Sequence, residues 1–214
     1  MTTTAIVLRN PEKSVLVPDL IPQPQLRPLV FLDIETTGLD PQGDDIIEVA
    51  AMRVDPISLA VEGCFETKIA PSPGVLVDPR AAELNGFRAE DWSEAPEIRN
   101  VLPLLARFLE GCLIVGHNPA FDWAFLTAAF RRLGVRRPNV GHHLIDTASL
   151  AWPLLRYGLV QSLSLRSLCE HYGISNSGEH RALEDVVRTY QLFLRLIGAG
   201  TTGNAAVVKG GGLQ

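Results

Sequence analysis

Cysteine is scarce in this chain. Only Cys64, Cys112 and Cys169 occur in 214 residues, far apart and with no C-x-x-C pair. That excludes a disulfide framework and a zinc ribbon, and predicts three buried small hydrophobes in a reducing compartment. Long apolar runs are also missing: none approaches the roughly 18 residues needed to span a bilayer. The segment Ala5–Leu8 is too short for the core of a signal peptide and follows no basic run. A soluble, cytoplasmic protein is expected, with no membrane partner. There is no excess of positive charge either. Nineteen basic against twenty-four acidic residues give −5, which excludes coating duplex DNA by bulk charge and confines any nucleic-acid contact to a local site. No repeat of 20–50 residues is visible. With 46% hydrophobic and 20% charged residues, wholesale disorder, collagen-like repeats and coiled coils are excluded, and one domain of ordinary size remains.

The ends differ from the middle. Pro11, Pro18, Pro22, Pro24 and Pro28 mark residues 1–27 as an extended arm, because each fixes φ and removes an N–H. Residues 199–214 form a Gly-rich tail with little to bury. Between them, 28–198 is the domain. Leu29–Ile34, Ile46–Val54 and Val61–Ile69 follow one another with turn chemistry between and no room for helices, predicting an antiparallel meander. Helical spacing predicts a helix over 95–109. Cys112–Val115 reads as a buried strand, and Pro119–Leu133 as a helix capped by Asn118. A short strand at 144–145 leads into a helix over 147–155. A further helix over 165–172 is capped by Ser162 or Ser164 and stopped by Gly173, and a last one covers about 180–197. Strands in series, then strand–helix alternation, imply an α/β domain with a mixed sheet.

Acids stand where apolar residues would be cheaper. Asp33 and Glu35 close an apolar strand and, two apart, share a face, while Ile34 points into the core. Like charges there repel, and desolvation costs each several kcal/mol unless a cation compensates. The following Thr36-Thr37-Gly38 permits a tight turn with donors close by. Gly116-His117-Asn118-Pro119-Ala120-Phe121-Asp122 follows the second strong strand, and His180-Arg181-Ala182-Leu183-Glu184-Asp185 opens the last helix. Asp122 in a first turn, or His180 at a frayed helix start, is by itself an ordinary helix terminus. His180 and Asp185 diverge by roughly 140° on a regular helix, so a shared site requires His180 to lie before it.

In this order the three segments resemble the DEDDh branch of the DnaQ-like 3′–5′ exonucleases, whose motifs DxETTG, HNxxFD and HxAxxD stand here at 33–38, 117–122 and 180–185. The resemblance covers roughly 28–197. It implies an RNase H-like fold, a five-stranded mixed sheet with helices on both sides. It implies two divalent cations, Mg²⁺ or Mn²⁺, with Asp33 bridging both, Glu35 and Asp185 completing one and Asp122 serving the other. Hard oxygen ligands suit such ions. His180 would take the proton of the attacking water, and the product would be a nucleoside 5′-monophosphate.

The same resemblance gives Thr36, Thr37, Leu39, Asn118 and Phe121 as contacts of the terminal nucleotide. Asn85 stands where proofreading relatives carry histidine, which bears on base or sugar preference. Arg131-Arg132 and Arg136-Arg137 read equally as a phosphate-tracking edge or a solvated helix end. The leading expectation is an exonuclease acting on single-stranded or frayed DNA 3′ ends in proofreading or repair, resembling the epsilon subunit of a replicative polymerase. The short Gly-rich tail lacks the long segment with which epsilon-type subunits hold their polymerase, so an exonuclease is expected well ahead of a polymerase subunit, with a polymerase subunit as partner left open. RNA 3′-end trimming in the manner of ribonuclease T is the alternative among enzymes, and a non-catalytic nucleic-acid-binding protein the alternative outside them.

Overall fold

The computed structural model describes residues 26–176 and 181–198. The N-terminal arm up to residue 25, the tail from 199 and His180 lie outside the described residues. Five strands form one sheet in the order β3-β2-β1-β4-β5. β1 (Leu29–Thr36), β2 (Ile46–Val54) and β3 (Val61–Lys68) are the antiparallel meander, with Leu29 opposite Val54 and Leu32 opposite Ala51. β4 (Leu113–Gly116) and β5 (Ile145–Asp146) continue the sheet in parallel with β1. The sheet is therefore mixed, and β1 is central.

Central position explains why β1 is apolar on both faces. Val30, Leu32 and Ile34 pack with residues of α2 (Ile98–Leu109) and α3 (Pro119–Arg132). Leu29 and Phe31 pack on the opposite face with Ala182, Val186 and Phe193 of α7 (Ala182–Leu196). Helices thus cover both sides. Alternation then sends Asp33 and Glu35 to the α7 face. Phe31 makes edge-to-face contacts there with Tyr190 and Phe193, a favoured ring geometry.

Several local expectations needed correction. α1 (Pro79–Asn85) and a 3-10 turn (Ala89–Trp92) fill a stretch that showed no helical period. α1 is held by its ends: Asp78 caps it through Arg80 N and Ala81 N, and Gly86 closes it at φ 65°. α2 begins at Ile98, three residues late, because Pro96 O accepts from Ala70 N and Glu97 bridges Ala70, which keeps that stretch extended. The helix expected over 147–155 breaks at Ala151 into α4 (Thr147–Leu150) and α5 (Trp152–Arg156), where Pro153 has no N–H to continue it. Ser164 caps α6 (Leu165–Tyr172) and Gly173 ends it, as anticipated. Cys112 and Cys169 are buried, but Cys64, on edge strand β3, is exposed. Among the described residues no helix is long and apolar enough to cross a membrane.

Candidate active site

The acids gather at the carboxyl ends of parallel strands β1 and β4, where open α/β sheets bind ligands. β4 pairs with β1 only through Leu29, Val30 and Phe31 and then turns away at Gly116. The N–H of Ile34 is left beyond that ladder, and Asp122 Oδ1 accepts from it at 3.0 Å. A buried N–H needs such a partner. The first turn of α3 therefore brings Asp122 to the end of β1 while satisfying the strand. From the other face, the first turn of α7 brings Asp185.

Asp33, Glu35 and Asp185 each offer a carboxylate oxygen within 4.8 Å of the others. Asp122 lines the same small cleft with His117, Asn118 and Phe121. Asp122 and Asp185 are buried, Asp33 and Glu35 half-buried. Burial first, and then the charges of Asp122, Glu35 and Asp185, push the Asp33 carboxyl well above its ordinary value. Glu35 is pushed up to about 8 by burial and by Asp185 and Glu48. Asp122 is pushed up to about 7, chiefly by burial. These groups are short of positive charge. Converging carboxylate oxygens with unmet negative charge fit one or two hard divalent cations such as Mg²⁺ or Mn²⁺.

Three residues outside the expected site set the charge around the acids. Arg188 donates to Asp185 Oδ1 at 2.6 Å and to Glu184 Oε2 at 2.9 Å, and is itself buried. Glu48 of β2, 1% exposed, accepts from Arg181 Nε at 3.0 and 3.2 Å. A charged residue inside the otherwise apolar stretch Ile46–Met52 was the available signal for Glu48. Arg188 sits three residues after Asp185 in the buried stripe of α7, which was the signal for it.

A larger pocket of about 610 Å³ opens beside the acids, lined by Ile34, Glu35, Thr36, Leu39, Leu84, Asn85 and Phe121 among others. Leu39 is 83% exposed at its rim. Thr37 is fully buried and does not line it. Its N–H donates to Asp45 O, its hydroxyl donates to Asp44 Oδ1, and it accepts from Asp45 N, so its donors close the β1–β2 turn. The Thr36 hydroxyl is likewise turned to Gly38 O at 2.6 Å. Asn85 is buried: its Nδ2 donates to Thr36 O and its Oδ1 accepts from Phe87 N, tying α1 to the end of β1. Asn118 does not cap α3 with its side chain. It sits at φ 63° while its N–H donates to Asp146 Oδ1. His117 Nδ1 lies 2.9 Å from Thr147 Oγ1, and burial lowers its pKa. The paired arginines separate by role: Arg132 binds Asp45 and Arg136 binds Glu110, while Arg131 meets only neutral Gln42 among the described residues.

Residues 30–193 match the Exonuclease family. The chain belongs to that family. It is 39% identical over 171 residues to a DNA polymerase III PolC-type of Thermotoga petrophila, covering 78% of this chain and 12% of that protein. It is 32% identical over 173 residues to a DNA polymerase III subunit epsilon-like protein of Rhodobacter capsulatus, covering 79% of this chain and 24% of the relative. The chain thus spans about an eighth to a quarter of the length of these relatives. Among solved structures, E. coli Exonuclease I in complex with a dT13 oligonucleotide matches with a TM-score of 0.67 at 21% identity, over 79% of this chain and 41% of that one. A further Exonuclease I structure matches with a TM-score of 0.70 at 22% identity, over 80% and 40%. The fold is the RNase H-like fold of Exonuclease I.

Proposed function

We propose that this protein is a metal-dependent 3′–5′ exonuclease that releases nucleoside 5′-monophosphates from single-stranded or frayed DNA ends. The observation that carries this is the convergence of Asp33, Glu35 and Asp185 within 4.8 Å, beside Asp122 and an apolar pocket sized for a nucleotide. DNA is favoured as substrate because the relatives are named as DNA polymerase components. A polymerase is the partner the same names suggest.

Asp33, Glu35, Asp185 and Asp122 would hold two divalent cations. When bound, such ions supply counter-charge to the attacked phosphate and make water easier to deprotonate. Leu39, Leu84 and Phe121 offer the terminal base apolar contact, while Thr36 and Asn118 flank its sugar and phosphate. Thr37 and Asn85 serve by fixing the turn and α1 around the pocket. The oxygen of water attacks phosphorus, the bond to the preceding 3′ oxygen breaks, and that oxygen becomes the new 3′ hydroxyl. His180 accepts the water's proton, a task suited to a side chain titrating near neutral pH.

Matched DNA and RNA oligomers, labelled at either end and incubated with and without Mg²⁺, test this. Stepwise loss of label from the 3′ end of DNA, abolished by EDTA, is expected. Release from the 5′ end first, or digestion that EDTA does not stop, refutes it. Faster digestion of RNA would make the enzyme an RNA-trimming exonuclease.

A further inference from the structure

One surface of α3 is built differently from the rest of this acidic molecule. Ala120, Ala124, Thr127, Ala128 and Arg131 recur every three or four residues and so share a face of the helix. They line a groove of about 460 Å³ together with Gln42, Trp123, Arg137 and Leu144. At 1.5 Å per residue, the stretch from Ala120 to Arg131 runs about 16 Å. Its start adjoins Phe121 and Asp122, which belong to the active-site cleft.

The charges are unevenly spread. Glu35, Asp40, Asp44 and Asp78 line the nucleotide pocket with Arg80 as their cation, whereas among the described residues no acidic residue lines this groove. The β1–β2 turn separates the two, offering Leu39, Asp40 and Asp44 to the pocket and Gln42 to the groove. Of the four neighbouring arginines, Arg132 and Arg136 are neutralised by Asp45 and Glu110. Arg131 is held by the neutral Gln42 amide at 3.2 Å, and the Arg137 guanidinium lies 5.9 Å from the Trp123 ring centre. Both are exposed, and among the described residues no ion pair neutralises either. Trp123 is half-buried, its ring braced by Phe130.

Cations, a braced indole and a floor of small side chains make the combination that binds single strands, where bases stack and phosphates are tracked. We infer that this groove holds the stretch of single-stranded nucleic acid lying 5′ to the nucleotide being removed. A single strand is the occupant because the groove begins at Ala120, next in the chain to Phe121 of the cleft, and is too small for a duplex. The inference rests on the exonuclease function for the direction of the strand, not for the binding itself.

Fluorescence anisotropy with labelled dT12, rU12 and dT2 in EDTA reads the groove without catalysis. The double variant Arg131→Ala/Arg137→Ala is expected to weaken dT12 and rU12 about tenfold at 0.1 M salt. Losing two phosphate contacts should also flatten the plot of log K against log salt by about 1.4, at about 0.7 per contact. Binding and hydrolysis of dT2 should change less than about twofold, and Arg136→Ala should behave as wild type. A double variant with wild-type affinity and salt slope for both 12-mers overturns the groove. Wild-type protein that binds dT12 through these arginines but releases no nucleotide would refute the exonuclease and leave the groove standing. Normal nucleotide release with a KM for dT12 indifferent to the double variant does the reverse.

Discussion

Arg188 Nη1 lies 2.6 Å from Asp185 Oδ1, three residues along α7, with both side chains more than nine-tenths buried. The same guanidinium reaches Glu184. With Arg181 on Glu48, it supplies the positive charge that a gathering of five acids at one strand end would otherwise lack.

Arg188→Ala should therefore leave Asp185 as a buried charge without this counter-ion. The expected cost is about 3–5 kcal/mol, in line with removing one partner of a buried pair. Urea unfolding in EDTA measures it. A loss under about 1 kcal/mol would mean that the pair is not what steadies the first turn of α7.

Asp33→Asn is expected to abolish nucleotide release and yet raise the stability of the metal-free protein. Asp33 is surrounded by Asp122, Glu35, Asp185 and Glu48, and all four charges raise its pKa. Removing its charge relieves that repulsion. Labelled-oligomer digestion and a thermal melt in EDTA are the two readouts, and activity near wild type would remove Asp33 from the metal site.

Stability should also depend on pH in a stated direction. Glu35 rises from 4.5 to about 8 and Asp122 from 3.8 to about 7 on folding. The folded protein then binds more protons than the unfolded chain between those limits. The contribution of these groups is full below about pH 4 and is lost as pH climbs to about 8. Metal-free protein should melt at lower temperature at pH 8 than at pH 5, and Glu35→Gln should reduce the difference. Mg²⁺ added at pH 8 should raise the melting temperature, since cations bind the deprotonated carboxylates. A melting temperature that rises from pH 5 to pH 8 in EDTA would contradict the burial of these acids.

Gly116→Ala tests how α3 is aimed. A Cβ at Gly116 would lie 2.8 Å from Pro119 Cβ and 3.2 Å from Leu32 O, so the start of α3 must shift. A cost of about 1–3 kcal/mol is expected from the overpacking, with a loss of kcat because Asp122 rides on that turn. Circular dichroism melts and steady-state rates separate the two effects, and unchanged kcat would show that Asp122 tolerates the shift.

Much of this was legible along the chain. The meander and the capped helices follow from local patterns: β-branched alternation, Ser164 before Leu165, Gly173 after Tyr172. α1 was not, because its seven residues are fixed by two caps and by the Asn85 contact with Thr36, not by an apolar stripe. Thr37 illustrates the opposite limit. Its residue type suited a nucleotide contact, but the partner of a hydroxyl is settled by what folds against it, and here Asp44 and Asp45 do.

The residues themselves determined the family, since four carboxylates and a histidine stand in that order within the stretch that matches it. Only tertiary structure decided which oxygens meet. Asp33, Asp122 and Asp185 are carried by a strand and two helices on opposite faces of one sheet, and their separations depend on how those layers pack. The same holds for charge balance: whether an arginine stays available to a ligand or is spent on Asp45 or Glu110 is fixed by long-range neighbours, which no local pattern encodes.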